Sequence, residues 1–429
     1  VFDILLLSTI FKINMKKKLE QYSINDHGIS LKDIDSDVFS ISDSLISNGY
    51  QAFVVGGCIR DILLGKKPKD FDIATDASPQ EICKLFSRAK IIGRRFKIVH
   101  VYISEEKYFE VTTFRSDVKK RSNDKKFRTN KGMIKRDNFY GSISQDAFRR
   151  DFTINSLYLD LDSGILHDYV NGLEDIKAKK LRLIKKPSIS YQEDPVRMLR
   201  AIRFESKLNL TPTTECKESI NKMSSLINNV SPYRLFDEIL KIAHSGKGEE
   251  GYKKLRDHNL FKFLFPFTNK ILENNEVYNQ FFILALRNTD LRINDGLHVN
   301  PSFIYAVFLW PYFLDLEKKY SDRNTSNIEE VFNKTLKTQS EYIAIPDFFQ
   351  QTIFTIWSLQ SSFLNLNRRN IQYLTSFNKF RAAYDFFHIR SLVDEDLKRY
   401  ADEWFEIQKN VKSKNLNKNK NYDKRRKRK

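Results

Sequence analysis

Residues 52–75 read Ala-Phe-Val-Val-Gly-Gly-Cys-Ile-Arg-Asp-Ile-Leu-Leu-Gly-Lys-Lys-Pro-Lys-Asp-Phe-Asp-Ile-Ala-Thr, and this stretch decides the fold. The apolar run Ala52–Val55 has strand length and stops at Gly56-Gly57. A helix is expected over Ile59–Leu64, closed by Gly65, then a loop Lys66–Asp70 and a second strand Phe71–Ala74. Two glycines between strand and helix let backbone N–H groups approach a phosphate closely, and the helix N-terminus adds partial positive charge. Arg60 can offer a fork of donors to phosphate oxygens. On an extended segment Asp70 and Asp72, two residues apart, face the same way. Carboxylates that close repel unless a cation lies between them, and hard oxygen ligands suit Mg²⁺ held by one or two carboxylates plus substrate phosphates. A Gly-Gly turn or an Asp-x-Asp pair alone is commonplace. Strand, Gly-Gly, helix and Asp-x-Asp in that order form a phosphate cradle facing a metal site.

Working outward, residues 36–49 carry apolar side chains at helical spacing, and Ser78-Pro79-Gln80-Glu81 is a helix start with a capping pair. Lys97–Ile103 and Tyr108–Phe114 read as a hairpin joined by Ser-Glu-Glu-Lys. Strand signals return at Ile154–Leu161 and Leu181–Ile184, so residues 36–185 are expected to be a mixed α/β domain. Arg149-Arg150-Asp151 can clamp a triphosphate, with Asp151 either joining the metal site or orienting an arginine. Glu110, on the hairpin, is the rival for third carboxylate, and sequence alone does not choose. Glu193-Asp194-Pro195 opens another helix, with Asp194 as its cap and Pro195 in its first turn. Arg197, Arg200 and Arg203 recur every three residues along it, a staircase that can present donors to a nucleotide, with Asp194 beside Arg197. From Pro187 to about residue 410 the pattern is helical and rich in Phe and Tyr, read as packed core rather than base-stacking surface.

At 429 residues, with 41 % apolar and 30 % charged, the chain can fill two to four compact units. Its formal charge is +19, and the excess is concentrated. Ten lysines and arginines lie in residues 115–136 and eleven in residues 409–429. Such clusters suit a polyanion, nucleic acid before an acidic membrane surface. The longest aromatic-apolar run, Phe303–Leu314, is too short for a bilayer and broken by Pro311. Three cysteines without metal-ligand spacing fit a reducing, cytoplasmic setting. Translation is expected to begin at Met15.

The segments VVGGCIRDILLGKKPKDFDIAT, RRDFTINSLYLDL and EDPVRMLRAIRF, in this order, resemble the class II nucleotidyltransferases of bacteria, which are the poly(A) polymerases and the CCA-adding tRNA nucleotidyltransferases. The resemblance is dense over residues 50–210. It implies an α/β nucleotidyltransferase head (a mixed sheet with helices) followed by an all-α neck, body and tail. The layout expected is an N-terminal extension 1–35, head 36–185, neck 186–250, body and tail 251–410, and a disordered basic tail 411–429. The family likeness implies that Asp70 and Asp72 bind catalytic Mg²⁺ in a two-metal site and that Asp151 belongs to the active-site set. It likewise implies that Gly56, Gly57 and Arg60 contact the nucleotide and Arg150 its phosphates. Asp194 and Arg197 would read the incoming base, supported by Arg200 and Arg203. Cys58 departs from the small Gly or Ala usual there, without enlarging the loop.

The basic turn Ile91–His100, the stretch FRAAYDFFHIRS and the basic tail resemble the poly(A) polymerase branch. That branch implies ATP as substrate and RNA 3′ ends as partners, bound through the basic loop 115–136 and the tail, with neither DNA nor membrane. CCA addition is the same-class alternative, and a non-catalytic RNA-binding protein the alternative of another class.

Overall fold

The computed structural model describes residues 19–93, 97–116, 133, 139–321 and 327–409. The expected basic loop, apart from Arg115, Ser116 and Met133, lies outside the described residues. So do the Arg94–Phe96 turn, the basic tail beyond Lys409 and the N-terminal residues before Leu19.

The chain divides into two compact units, Val1–Leu226 and Ile227–Lys429. The first is built on an eight-stranded sheet. Its strands in chain order are β1 (Glu20–Tyr22), β2 (Ala52–Val55), β3 (Asp72–Thr75), β4 (Ala89–Ile92), β5 (Ile98–Tyr102), β6 (Tyr108–Thr113), β7 (Leu157–Leu159) and β8 (Leu166–Asp168). Their spatial order is β1-β8-β7-β2-β3-β6-β5-β4. Every neighbouring pair is antiparallel except β3 and β6, which run parallel with Asp72 beside Glu110.

β2 has neighbours on both edges and all four of its residues are buried, which is why it reads as a continuous apolar run. β5 and β6 instead alternate buried with more exposed residues and form the expected hairpin. The helix Ser36–Ser47 buries Val38, Ile41 and Leu45 and is capped by Asp35, whose carboxylate accepts from Asp37 N. Ser78 and Glu81 form the capping box of the helix Pro79–Leu85.

Three boundaries differ from the sequence expectation. The helix after Gly56 spans Gly57–Leu63, two residues earlier than the apolar spacing indicates. β3 begins at Asp72, so Asp70 stands in the loop before the strand, exposed, and not on the strand itself. The helix expected to open with Asp194 as cap and Pro195 in its first turn spans Val196–Leu208 with Pro195 as its N-cap, one residue later, and a separate helix Pro187–Glu193 precedes it. The Asp194 carboxylate accepts from Val196 N at 3.4 Å. Leu181 pairs in a separate two-stranded parallel ladder with Pro212.

The second unit is helical. Its aromatic residues are mostly core: Tyr252, Phe261, Phe265, Phe282 and Phe308 pack ring against ring. A second core gathers Phe363, Tyr384, Phe387 and Trp404. Indole N–H groups inside these cores find carbonyl acceptors, Trp404 Nε1 at Phe363 O (2.8 Å) and Trp357 Nε1 at Ala306 O (3.2 Å). Among the described residues no helix is long and apolar enough to cross a membrane.

Candidate active site

The site grows from the break between β2 and the helix Gly57–Leu63. Gly56 has φ 86°, on the left-handed side that favours glycine. A Cβ there would lie 3.5 Å from Arg150 Nη1 and 3.8 Å from Asp72 Oδ2, so the bare backbone at Gly56 adjoins both a guanidinium and a carboxylate. A Cβ on Gly57 would lie 3.5 Å from Arg60 Nη2. The two glycines, Arg60, Arg150 and Asp72 therefore share one small volume.

Asp72 opens β3, half-buried, and the parallel register sets Glu110 of β6 beside it. Burial, the Glu110 carboxylate and Asp70 push Asp72 up to about 6, against the pull of Arg150. Burial and then Asp70 raise Glu110 as well. Carboxylates thus converge with too little positive charge to balance them. An all-oxygen donor set of that kind fits a hard divalent cation. No group of three or more His, Cys, Asp or Glu side chains closes to metal-holding geometry among the described residues. Asp72, Glu110 and Asp70 lie near enough to raise one another electrostatically, and they supply oxygen donors of the type such a cation takes.

Asp151 stands elsewhere. Its Oδ2 accepts from Arg200 Nε at 2.6 Å, and its Oδ1 accepts from Asn155 Nδ2 at 3.0 Å and from Phe152 N at 2.8 Å. Although burial opposes it, Arg200, Asn155 and Arg197 hold the Asp151 carboxyl far below the ordinary carboxylate range. Of the two residues weighed as third carboxylate, the structure sets Glu110 next to Asp72 and engages Asp151 with arginine.

Arg150 is aimed by residues that sequence reading did not single out. Asp146, 2 % exposed, accepts from Arg150 Nε at 3.1 Å, Arg149 Nε at 3.0 Å, Tyr158 Oη at 2.7 Å and Arg115 N at 3.1 Å. Tyr158 Oη in turn accepts from Arg150 Nε at 2.9 Å. Against its burial, these donors keep the Asp146 carboxyl well below its usual value. Ser142 and Gln145 cap the helix Ile143–Arg149 that carries Asp146, and Asp146 in turn meets Tyr158 beside β7. The signal was faint: Ser-Gln-Asp-Ala-Phe reads as an ordinary helix start with an acid on the solvent side.

The arginine staircase of Val196–Leu208 is spread over different partners. Arg197 donates to Ser190 Oγ at 2.8 Å and to Arg149 O at 3.3 Å, and lies 3.8 Å from Glu193 Oε2. Those contacts fix its guanidinium. Arg200 meets Asp151, while Arg203 lies over the Phe204 ring at 5.1 Å. Arg60 donates to Asn155 Oδ1 at 2.6 Å and pairs with Asp61 at 2.7 Å. Of the eleven residues singled out, Gly56, Gly57, Arg60, Arg150 and Asp72 thus share one volume and Asp151 engages Arg200, while Arg197 and Arg203 meet other partners.

Three family profiles match the chain. They are the poly A polymerase head domain over residues 52–182, the probable RNA and SrmB-binding site of polymerase A over residues 209–272, and the polymerase A arginine-rich C-terminus over residues 322–429. Poly(A) polymerase I of Escherichia coli O6:H1 is 40 % identical over 392 residues, which is 89 % of this chain and 84 % of the relative. The CCA-adding enzyme of Bacillus subtilis is 37 % identical over 269 residues, 61 % of this chain and 65 % of that enzyme. A solved tRNA-processing enzyme in an apo form aligns with TM-score 0.60 at 21 % identity, covering 88 % of this chain and 92 % of that one, a likeness of fold.

Proposed function

The chain belongs to the bacterial poly(A) polymerase family of nucleotidyltransferases, and from that premise we propose that it adds AMP from ATP to RNA 3′ ends without a template. The reaction is attack of an RNA 3′-hydroxyl oxygen on the α-phosphorus of ATP. A P–O bond forms to the RNA, the bond to the β-phosphate oxygen breaks, and pyrophosphate leaves. The observation that carries this reading is the meeting of Gly56, Arg150 and Asp72 within one volume, where a bare backbone adjoins both a phosphate-binding cation and a metal-type carboxylate.

Asp70 and Asp72 would hold two divalent cations, Mg²⁺ by their hardness, and bound there these supply Lewis-acid activation of the hydroxyl and charge neutralisation for the leaving pyrophosphate. Gly56 and Gly57 leave room for the triphosphate, and Arg60 and Arg150 neutralise it. Asp146 and Tyr158 keep Arg150 turned to that task. Asp194 and Arg197 read the incoming base, with Arg200 and Arg203 behind them. Asp151 serves the nucleotide by fixing Arg200. Positioning and fixed charge do most of the work, as in phosphoryl transfer generally.

RNA enters this reading through the match to an RNA-binding profile over residues 209–272 and through the two basic segments, 115–136 and 409–429. Contacts there go to phosphates and carry no sequence preference. Removal of residues 412–429 is expected to weaken RNA binding and flatten its salt dependence. An unchanged salt slope in a filter-binding titration takes the tail out of the scheme.

Poly(A) synthesis is preferred to CCA addition because the polymerase match runs through 84 % of that relative, while the CCA-adding match stops at 65 %. The test is extension of a labelled oligonucleotide that is not a tRNA, with Mg²⁺ and either ATP or CTP alone. A ladder with ATP only is expected. Addition of two C and one A to a truncated tRNA, with no ladder on the oligonucleotide, reassigns the chain to CCA synthesis.

A further inference from the structure

The phosphate-side arginine and the base-side arginines are joined twice. One route is polar: Arg60 Nη1 donates to Asn155 Oδ1 at 2.6 Å, Asn155 Nδ2 to Asp151 Oδ1 at 3.0 Å, and Arg200 Nε to Asp151 Oδ2 at 2.6 Å. The other runs through an aromatic ring. Arg60 Cζ lies 4.9 Å from the centroid of Phe204 and Arg200 Cζ lies 5.4 Å from it. Arg60, Asn155, Asp151, Arg200 and Phe204 therefore form a closed circuit of side chains. Arg203, at 5.1 Å, is a third guanidinium on the same ring.

Phe204 itself is held firmly. It is 5 % exposed, and Phe152 braces it edge-on at 5.5 Å with an interplanar angle of 87°. Phe152 adjoins Asp151 in the chain, so the ring and the carboxylate rest on one segment. Three like charges about one point repel. Asp61 pairs with Arg60 and Asp151 with Arg200, and the negative faces of the ring attract all three guanidiniums without occupying an N–H donor. That last point separates a ring from another carboxylate. A carboxylate would hold the arginines by consuming the donors a nucleotide needs and by cancelling their charge. A ring adds to the contacts that Asp61, Asn155 and Asp151 already make with Arg60 and Arg200, and takes up no further donor. Long arginine side chains lose much rotamer freedom on binding, so fixing them beforehand favours the ligand.

Resting on the adenylyltransferase reading above, we propose that Phe204 is a positioning residue: its ring clamps Arg60 to Arg200 and Arg203 so that the triphosphate grip and the base-reading helix act as one preformed unit. Nucleotide bound at either end then meets arginines already set by the other.

The test compares Phe204→Met, which keeps apolar volume but removes the ring, with Phe204→Tyr, which keeps the ring. Both use the full-length chain with Mg²⁺ and ATP. Loss of the ring is expected to raise the ATP KM about tenfold, as modest cation–π contacts to the ring imply, with kcat changed far less. Phe204→Tyr is expected to restore a near-wild-type KM. Fluorinated phenylalanines at position 204 keep the shape of the side chain while draining its negative faces, so the KM should climb stepwise with fluorine count. This series holds even where Phe204→Met folds poorly. Equal KM values across the fluorine series, or a Tyr variant as impaired as the Met variant, overturn the proposal. Failure of the unaltered chain to extend RNA with ATP instead overturns the adenylyltransferase reading, so the two failures are distinguishable.

Discussion

Arg150 of the first unit and Arg390 of the second are both long cations drawn partly out of water, and they are held in opposite ways. Burial alone would lower the Arg150 guanidinium, but Tyr158 and Asp146 outweigh it and keep the group above its ordinary value. Arg390 lies over Trp310 at 4.9 Å and donates to Gln360 Oε1 at 3.0 Å. Burial lowers it to about 10, which Asp394, Tyr278 and Glu317 only partly offset. The first arrangement spends ion pairing to aim a cation at a glycine loop. The second uses rings and an amide to seat a cation within a helical core. Arg150 is thereby presented beside the glycine loop, while Arg390 stays seated among the rings of the helical core.

Three substitutions sharpen that contrast. The largest effect is expected from Asp72→Asn, which should cut nucleotide addition on the order of 1000-fold. Removing one of several repelling carboxylates should at the same time leave thermal stability equal or higher, and RNA affinity unchanged. A primer-extension assay beside a thermal melt checks both halves, and retained activity would show that the carboxylate does no chemistry.

Next is Asp146→Ala, which strands Arg149 and Arg150 beside a buried void and should cost about 3–5 kcal/mol in urea unfolding. The folded-state pKa of Asp146 is depressed. Its contribution is therefore present above the unfolded carboxylate value of about 3.9 and fades as pH falls through the lower folded value. The gap between variant and parent should stay constant from neutral pH to about pH 5 and shrink only in stronger acid. A gap that closes near neutral pH would show that Asp146 is not held as an ion.

The smallest effect belongs to Arg390→Met. The variant keeps apolar contact with Trp310 but leaves Gln360 Oε1 without its arginine donor, for a cost of about 1–3 kcal/mol. Nucleotide KM should not move. A changed KM would mean that the second unit's arginine also serves the reaction.

How much of this was legible beforehand follows from chain distance. The glycine loop, its strand and Asp70 and Asp72 lie within 24 consecutive residues, and their spacing alone exposes them. The capping box at Ser78 is equally local. Glu110 reaches Asp72 only through a parallel register across 38 positions of chain, which no local pattern encodes. The same limit hid Asp146, whose four donors come from residues 115, 149, 150 and 158. β1 and β8 are three residues each, too short for an alternation to be read. Asp194-Pro195 marks a helix start in the sequence, but the Ser190 and Glu193 that meet Arg197 sit on the preceding helix, and that contact across the joint has no local pattern.

The five-membered circuit also sets a schedule. Its members span Arg60 to Phe204, so a ribosome must add 144 residues after the first before the last exists. At ordinary elongation speeds that is on the order of 10 s. Throughout that interval the glycine loop and both aspartates are already made while the helix that carries Arg200 and Phe204 is not, so the side chains that meet Arg60 from the far end of the circuit are the last to exist.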